Sequence, residues 1–118
     1  MRRLSAKRRR LIDEASPARQ AFAREFPRCW ICGKRADDVH EIARGPARGN
    51  AYADRSTWLR LCRLCHDDVG DYSRWSIARQ LHLKRTNDLE YYDRERVNML
   101  RGRQPDAITE SEVDDAVL

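Results

Sequence analysis

Two Cys-x-x-Cys pairs, Cys29-Trp30-Ile31-Cys32 and Cys62-Arg63-Leu64-Cys65, constrain this chain more than any other feature. Each such turn aims two thiolates at one point, and two turns together complete the tetrahedron that zinc prefers. The 29 residues between Cys32 and Cys62 exceed the roughly 15–20 of the simplest ribbon spacing, so further structure is expected between the knuckles. A 118-residue chain that is 41% hydrophobic and 36% charged has little core material, and a structural metal is one of the usual staples for such a domain. No stretch approaches the roughly 18 apolar residues of a membrane span. The basic first ten residues are not followed by the apolar run of a secretory signal. The expectation is therefore a cytoplasmic protein with no membrane partner, whose thiols are kept reduced and available to zinc.

Charge is segregated along the chain. Residues 105–118 carry five acids (Asp106, Glu110, Glu112, Asp114, Asp115) and no Lys or Arg. Against an overall balance of +5, residues 1–104 therefore carry 24 basic residues and 14 acids, a net +10. Arg2, Arg3, Lys7, Arg8, Arg9 and Arg10 crowd the first ten positions with no acid among them. Such a field attracts phosphate backbones with salt-sensitive, sequence-independent affinity. Nucleic acid is the expected partner, with a solvated arm that only aids solubility as the plainer reading.

The pattern predicts an α+β, mostly helical chain in four parts. Residues 1–26 form a basic arm and a short helix starting at Ser16-Pro17 and stopped by Pro27. Residues 27–70 hold both knuckles, a strand from Val39 to Arg44, a loop marked by Gly45, Pro46, Gly49 and Asn50, and the apolar-polar segment Trp58 to Leu61. A helix near Cys65-His66 breaks by Gly70. Residues 71–104 hold two helices: one from about Tyr72 to Lys84, with Trp75, Ala78 and Leu81 inward, and one capped by Asn87, with Leu89, Tyr92, Val97 and Leu100 on one stripe. Residues 105–118 are an acidic tail in which Thr109-Glu110-Ser111-Glu112 is a capping-box pattern, forming a last short helix or staying disordered. His82 reads as structural or surface.

Two histidines occupy informative positions. His40 lies on the expected strand, eight residues after the first knuckle, and His66 directly follows the last cysteine. Four thiolates close the zinc shell and leave both imidazoles free. A zinc that ties the knuckles together also draws strand and helix close, so the two histidines can frame a second, open metal site.

The order Cys-x-x-Cys, His40-Glu41-Ile42, a glycine-bearing loop and Leu61-Cys62-x-x-Cys65-His66 resembles the HNH endonucleases, in particular the small four-cysteine members common in phages and bacteria. The resemblance covers about a third of the chain, Cys29 to Asp68, and is most specific from Leu61 to His66. It implies a zinc-stapled ββα-metal unit with flanking helices, acting on DNA inside a bacterial host cell. Cys29, Cys32, Cys62 and Cys65 would hold structural zinc, and His66 would hold a catalytic magnesium or other divalent ion. A strand residue would act as the general base that activates water against a phosphodiester. Arg8, Arg9, Arg10, Arg44 and Arg48 are candidates for holding the backbone.

The sequence departs from the family pattern at two places. The family base is usually preceded by an Asp or His metal ligand and followed by Ile. If Ile42 fixes the register, His40 is the metal ligand and Glu41 the base, although strand alternation points neighbours to opposite faces. If His40 is the base, Val39 stands where a ligand is needed. Thr57 replaces the family's middle Asn but can still hydrogen-bond the hairpin loop. Plainer roles also exist: His40 as a hydrogen-bonded strand residue, His66 as a partner of a cysteine sulfur, Glu41 as a partner of Arg44. The rival functions are a non-catalytic zinc module that binds nucleic acid, its HNH site degenerate, and an assembly adaptor that docks a protein through the C-terminal helices and acidic tail.

Overall fold

The computed structural model describes residues 5–43, 48–71 and 73–118, with the side chains of Arg48 and Gly49 left aside. The chain is α+β and mostly helical: α1 (Ala6–Glu25), β1 (Asp38–Glu41), α2 (Arg48–Tyr52), β2 (Trp58–Leu61), α3 (Arg63–Val69), α4 (Ile77–Asn87), α5 (Arg94–Leu100) and α6 (Glu110–Asp115).

Helix α1 begins eleven residues earlier than the Ser16-Pro17 signal implies. Ser5 caps it, its side chain accepting from the Arg8 amide at 3.1 Å. Lys7, Arg8, Arg9 and Arg10 are thus helical rather than part of an extended arm. Pro17 sits inside the helix, where it removes one backbone donor and costs about 3 kcal/mol. Tertiary packing outweighs that cost. Phe22 is fully buried, with its ring 5.3 Å from Phe26, 5.8 Å from Trp30 and 5.4 Å from Trp58.

The hairpin pairs Asp38 with Leu61, Val39 with Arg60, His40 with Leu59 and Glu41 with Trp58. Strand β1 ends at Glu41, short of the expected Arg44, which lies outside the described residues. Thr57 prolongs the pairing. Its carbonyl accepts from the Ile42 amide at 2.8 Å and its hydroxyl from the Ala43 amide at 2.7 Å. This is the hairpin-loop role expected of it.

Beyond the knuckles the helices differ from the pattern in register. The α4 cap is Ser76, accepting from Arg79 at 3.1 Å, and the expected start at Tyr72 lies outside the described residues. Trp75, Leu81 and Leu83 enter the core, while Ala78 is only half-buried. The stripe expected from Asn87 is split into a 3-10 turn, Leu89–Tyr91, and α5, which Asp93 caps. Leu89 is consequently 68% exposed, whereas Val97 and Leu100 are buried.

The split follows from Asp88, whose carboxylate bonds Lys84 Nζ at 2.7 Å and Arg55 at 3.1 Å. Fully buried Lys84 also donates to the carbonyls of Arg55 (2.7 Å) and Trp58 (3.0 Å), riveting α4 to the start of β2. Burial pulls the Lys84 ammonium down to about 8, with Asp88 opposing that fall. At the C-terminus Thr109 and Glu112 form the expected capping box. Helix α6 packs on α4 with Val113 fully buried, the Val113 carbonyl 2.8 Å from His82 Nδ1, and Arg85 paired to Glu110 and Asp114. The acidic segment is part of the fold.

Replacing Asp88 by Ala leaves a buried ammonium without its counter-charge, which should cost about 3–5 kcal/mol at neutral pH. Burial alone would raise the Asp88 carboxyl, but Arg55 and Lys84 hold it below its ordinary 3.8. The native chain therefore keeps this stabilisation above pH 3.8 and loses it as pH falls through the depressed folded value. Urea unfolding of both proteins should show the gap closing in acid.

Candidate metal centre and histidine pair

Both knuckles grow from tight local turns. Gly33, at φ +76, closes the first, its amide donating to the Cys29 carbonyl at 3.0 Å. Cys62 caps α3, its sulfur accepting from the Cys65 amide at 3.5 Å, and the Ile31 amide reaches the Cys29 sulfur at 3.4 Å. The four Sγ atoms lie within 4.8 Å of one another, with Cys32 and Cys62 3.6 Å apart. That separation is far beyond the ~2.05 Å of a disulfide. A tetrahedron of ~2.3 Å metal–thiolate bonds has edges of ~3.8 Å, close to what the sulfurs adopt.

Electrostatics points the same way. Burial alone would raise the Cys29 thiol, but backbone hydrogen bonds hold it down at about 7. Burial and the neighbouring thiols push Cys65 far up. Four sulfurs this close cannot all ionise without a cation among them, so the set fits one metal ion.

The hairpin between the knuckles brings the histidines together. The His40 and His66 ring centroids are 5.0 Å apart at 75°. His40 is 2% exposed, and its Nε2 lies 3.0 Å from Gln80 Oε1. The Gln80 amide nitrogen donates to the Trp75 carbonyl at 3.1 Å, which turns Oε1 toward His40. An amide oxygen only accepts, so Nε2 is the donor of this bond.

His66 Nδ1 lies 2.9 Å from Asp38 Oδ2, and Arg63 grips the same carboxylate at 2.8 and 2.9 Å. Burial alone would raise the Asp38 carboxyl, but His66 and Arg63 hold it below its ordinary value. An ionised Asp38 can only accept, so His66 Nδ1 donates in this bond and Nε2 is the ring nitrogen outside it. Asp38 and Gln80 were not singled out from the sequence. Asp38 was findable, because strand alternation places residue i−2 on the face of His40; Gln80 lies forty residues away and gave no signal.

Glu41 does not join this group. It occupies the opposite strand face, 3.8 Å from Arg19, whose guanidinium also lies 3.9 Å from the Tyr52 ring centroid. The register in which His40 binds metal and Glu41 acts as base does not assemble in this fold. Among the described residues, only the cysteines bring three or more His, Cys, Asp or Glu ligand atoms within 4.8 Å. Arg8 is half-buried with its guanidinium 5.9 Å from the Tyr52 ring centroid, while Arg9 and Arg10 are exposed. Arg44 and the Arg48 side chain lie outside the described residues. No described helix is long and apolar enough to cross a membrane. No protein-family model, curated protein or solved structure matches the chain.

One metal ion per chain is expected in native mass spectrometry, falling to zero in Cys29→Ser/Cys62→Ser. The same variant should lose cooperative thermal unfolding, since binding energy at such a site is folding energy.

Proposed function

We propose that the chain is a metal-dependent endonuclease that hydrolyses phosphodiester bonds in DNA, built on a zinc-stapled ββα-metal unit. The observation that carries the reading is the meeting of His40 and His66, 5.0 Å apart in space and on opposite sides of the hairpin in sequence. Zinc is the natural occupant of the four-thiolate cluster, being redox-inert and tetrahedral. In this reading the cluster's role is structural, because its shell is closed.

His66, with its ring fixed by Asp38, is the residue to hold a second divalent ion through Nε2. The Asp38–His66 pair suits an ion such as magnesium or manganese, which is held by few protein groups and keeps open positions for water and phosphate. Such an ion would supply Lewis-acid stabilisation of charge at the scissile phosphate. His40 is the general base. Gln80 holds its ring through Nε2, and imidazole is the side chain whose ordinary pKa range suits that task. Glu41 and Arg19 lie across the sheet and bind or brace rather than react.

The alternative is a zinc-stapled module that binds nucleic acid without cutting it. It is favoured by the 2% exposure of His40, which keeps bulk water from the ring unless the hairpin edge opens.

A supercoiled-plasmid nicking assay with magnesium, manganese or nickel separates the two. The endonuclease reading expects nicking by the wild type, a fall of about 10²–10⁴-fold in His40→Ala, and about 10–100-fold weaker activating-metal affinity in Asp38→Asn. Circular dichroism and zinc content should be retained in both. Absence of nicking with all three ions by a folded, zinc-loaded wild type would leave only the binding module.

A further inference from the structure

We propose that an arginine-lined cleft between the end of α1 and the first knuckle seats the phosphate backbone of a nucleic acid. The proposal rests on the nucleic-acid reading above but not on cleavage. The cleft has a volume of about 620 Å³, and Arg24, Arg28, Arg35 and Arg60 line it with only alanine and proline beside them. No acid is among its described lining residues.

Three observations make it a phosphate site rather than a solvated basic patch. Arg28 and Arg35 are antiparallel bridge partners, and like charges set directly opposite one another repel. Arg24, Arg28 and Arg35 are exposed, and among the described residues none of them pairs with a carboxylate. By contrast Arg55, Arg63, Arg74, Arg85, Arg94 and Arg96 all do. Arg60 is 8% exposed, and its guanidinium bonds only carbonyls, those of Phe26 (2.8 Å), Asp38 (3.1 Å) and Ala36 (3.4 Å). The nearby acids are engaged elsewhere, Asp37 with the Arg63 amide and Asp38 with Arg63 and His66. A buried, permanently charged guanidinium with neutral partners is completed by an anion, and the arginine fork matches phosphate oxygens.

The spread of charge selects a polymer over a small anion. Arg10 precedes Arg24 by fourteen helical residues, about 21 Å at 1.5 Å each, or about six base-pair steps of a duplex. Arg60 is the register partner of Val39, so the cleft lies on the sheet face of Val39 and Glu41, opposite the face of Asp38 and His40.

The test is fluorescence anisotropy with a labelled DNA duplex, without added divalent ion so that cleavage plays no part. Arg24→Gln/Arg28→Gln/Arg35→Gln should weaken binding about tenfold or more at moderate salt. It should also make the slope of log K against log salt shallower by about 2–3, at 0.9 per lost phosphate contact. Because Arg28 also donates to the Gly33 carbonyl, Arg24→Gln/Arg35→Gln is the second variant, expected to change the slope by about 2. Unchanged affinity and slope in both variants, with native circular dichroism and metal content, overturns the proposal. So does a wild type that fails to bind the duplex at low salt, or that binds inorganic phosphate or ATP in the cleft while the variants keep their duplex affinity. Loss of duplex binding in the variants alongside a wild type that never nicks supports the cleft and sinks only the endonuclease.

Discussion

The clustering of four sulfurs is the contact on which the rest of the arrangement depends. One knuckle precedes β1 and the other follows β2, so joining them closes the intervening chain into a loop whose ends are fixed. Such closure removes more entropy from the unfolded chain the longer the loop, which is why a metal clip acts strongly at this spacing. Its structural consequence is specific. Cys62 caps α3 and, in the same stroke, binds the partner knuckle. The start of α3 is therefore pinned beside the start of β1, and His66 in its first turn meets His40 and Asp38. Without the clip, the hairpin has only four paired positions, too few to hold a helix against itself.

A second constraint orients the histidines after the clip has brought them close. Each imidazole has one nitrogen fixed by a partner that is itself fixed. Gln80 is held by the Trp75 carbonyl, and Asp38 is held by Arg63. The two orienting groups come from different elements, α4 and β1, so the pair reports the docking of α4 on the sheet as well as the knuckle geometry. Lys84, one turn after Gln80 on α4, secures that docking through carbonyls at the beginning of β2. The buried ammonium is thus part of what positions His40.

What the sequence disclosed follows the range of the interactions involved. The knuckles, the α3 stop at Gly70 and the Thr109 capping box are set by neighbours within a few residues, and all were legible. Helix α1 was misread because Pro17 is locally a start signal, while the aromatic packing of Phe22 that overrides it involves Trp30 and Trp58. The break after Asn87 was hidden for the same reason. Asp88 is drawn inward by Lys84 and by Arg55, and Arg55 is 33 residues away. At the site, His40 and His66 were legible from the two anchors that flank them. Asp38 was within reach of simple strand alternation. Gln80 and the Arg60 floor of the cleft were not, because both depend on which distant carbonyl a polar side chain reaches.

Net charge conceals how this molecule distributes its cations. Acids neutralise many of the arginines of the body: Asp54 takes Arg96, Asp68 takes Arg74, and Glu110 with Asp114 takes Arg85. Helix α6, which carries much of the acidic surplus, folds onto α4 rather than across the basic edge. Among the described residues Arg24, Arg28 and Arg35, at the end of α1 and around the first knuckle, pair with no carboxylate, and buried Arg60 beside them hydrogen-bonds only carbonyls.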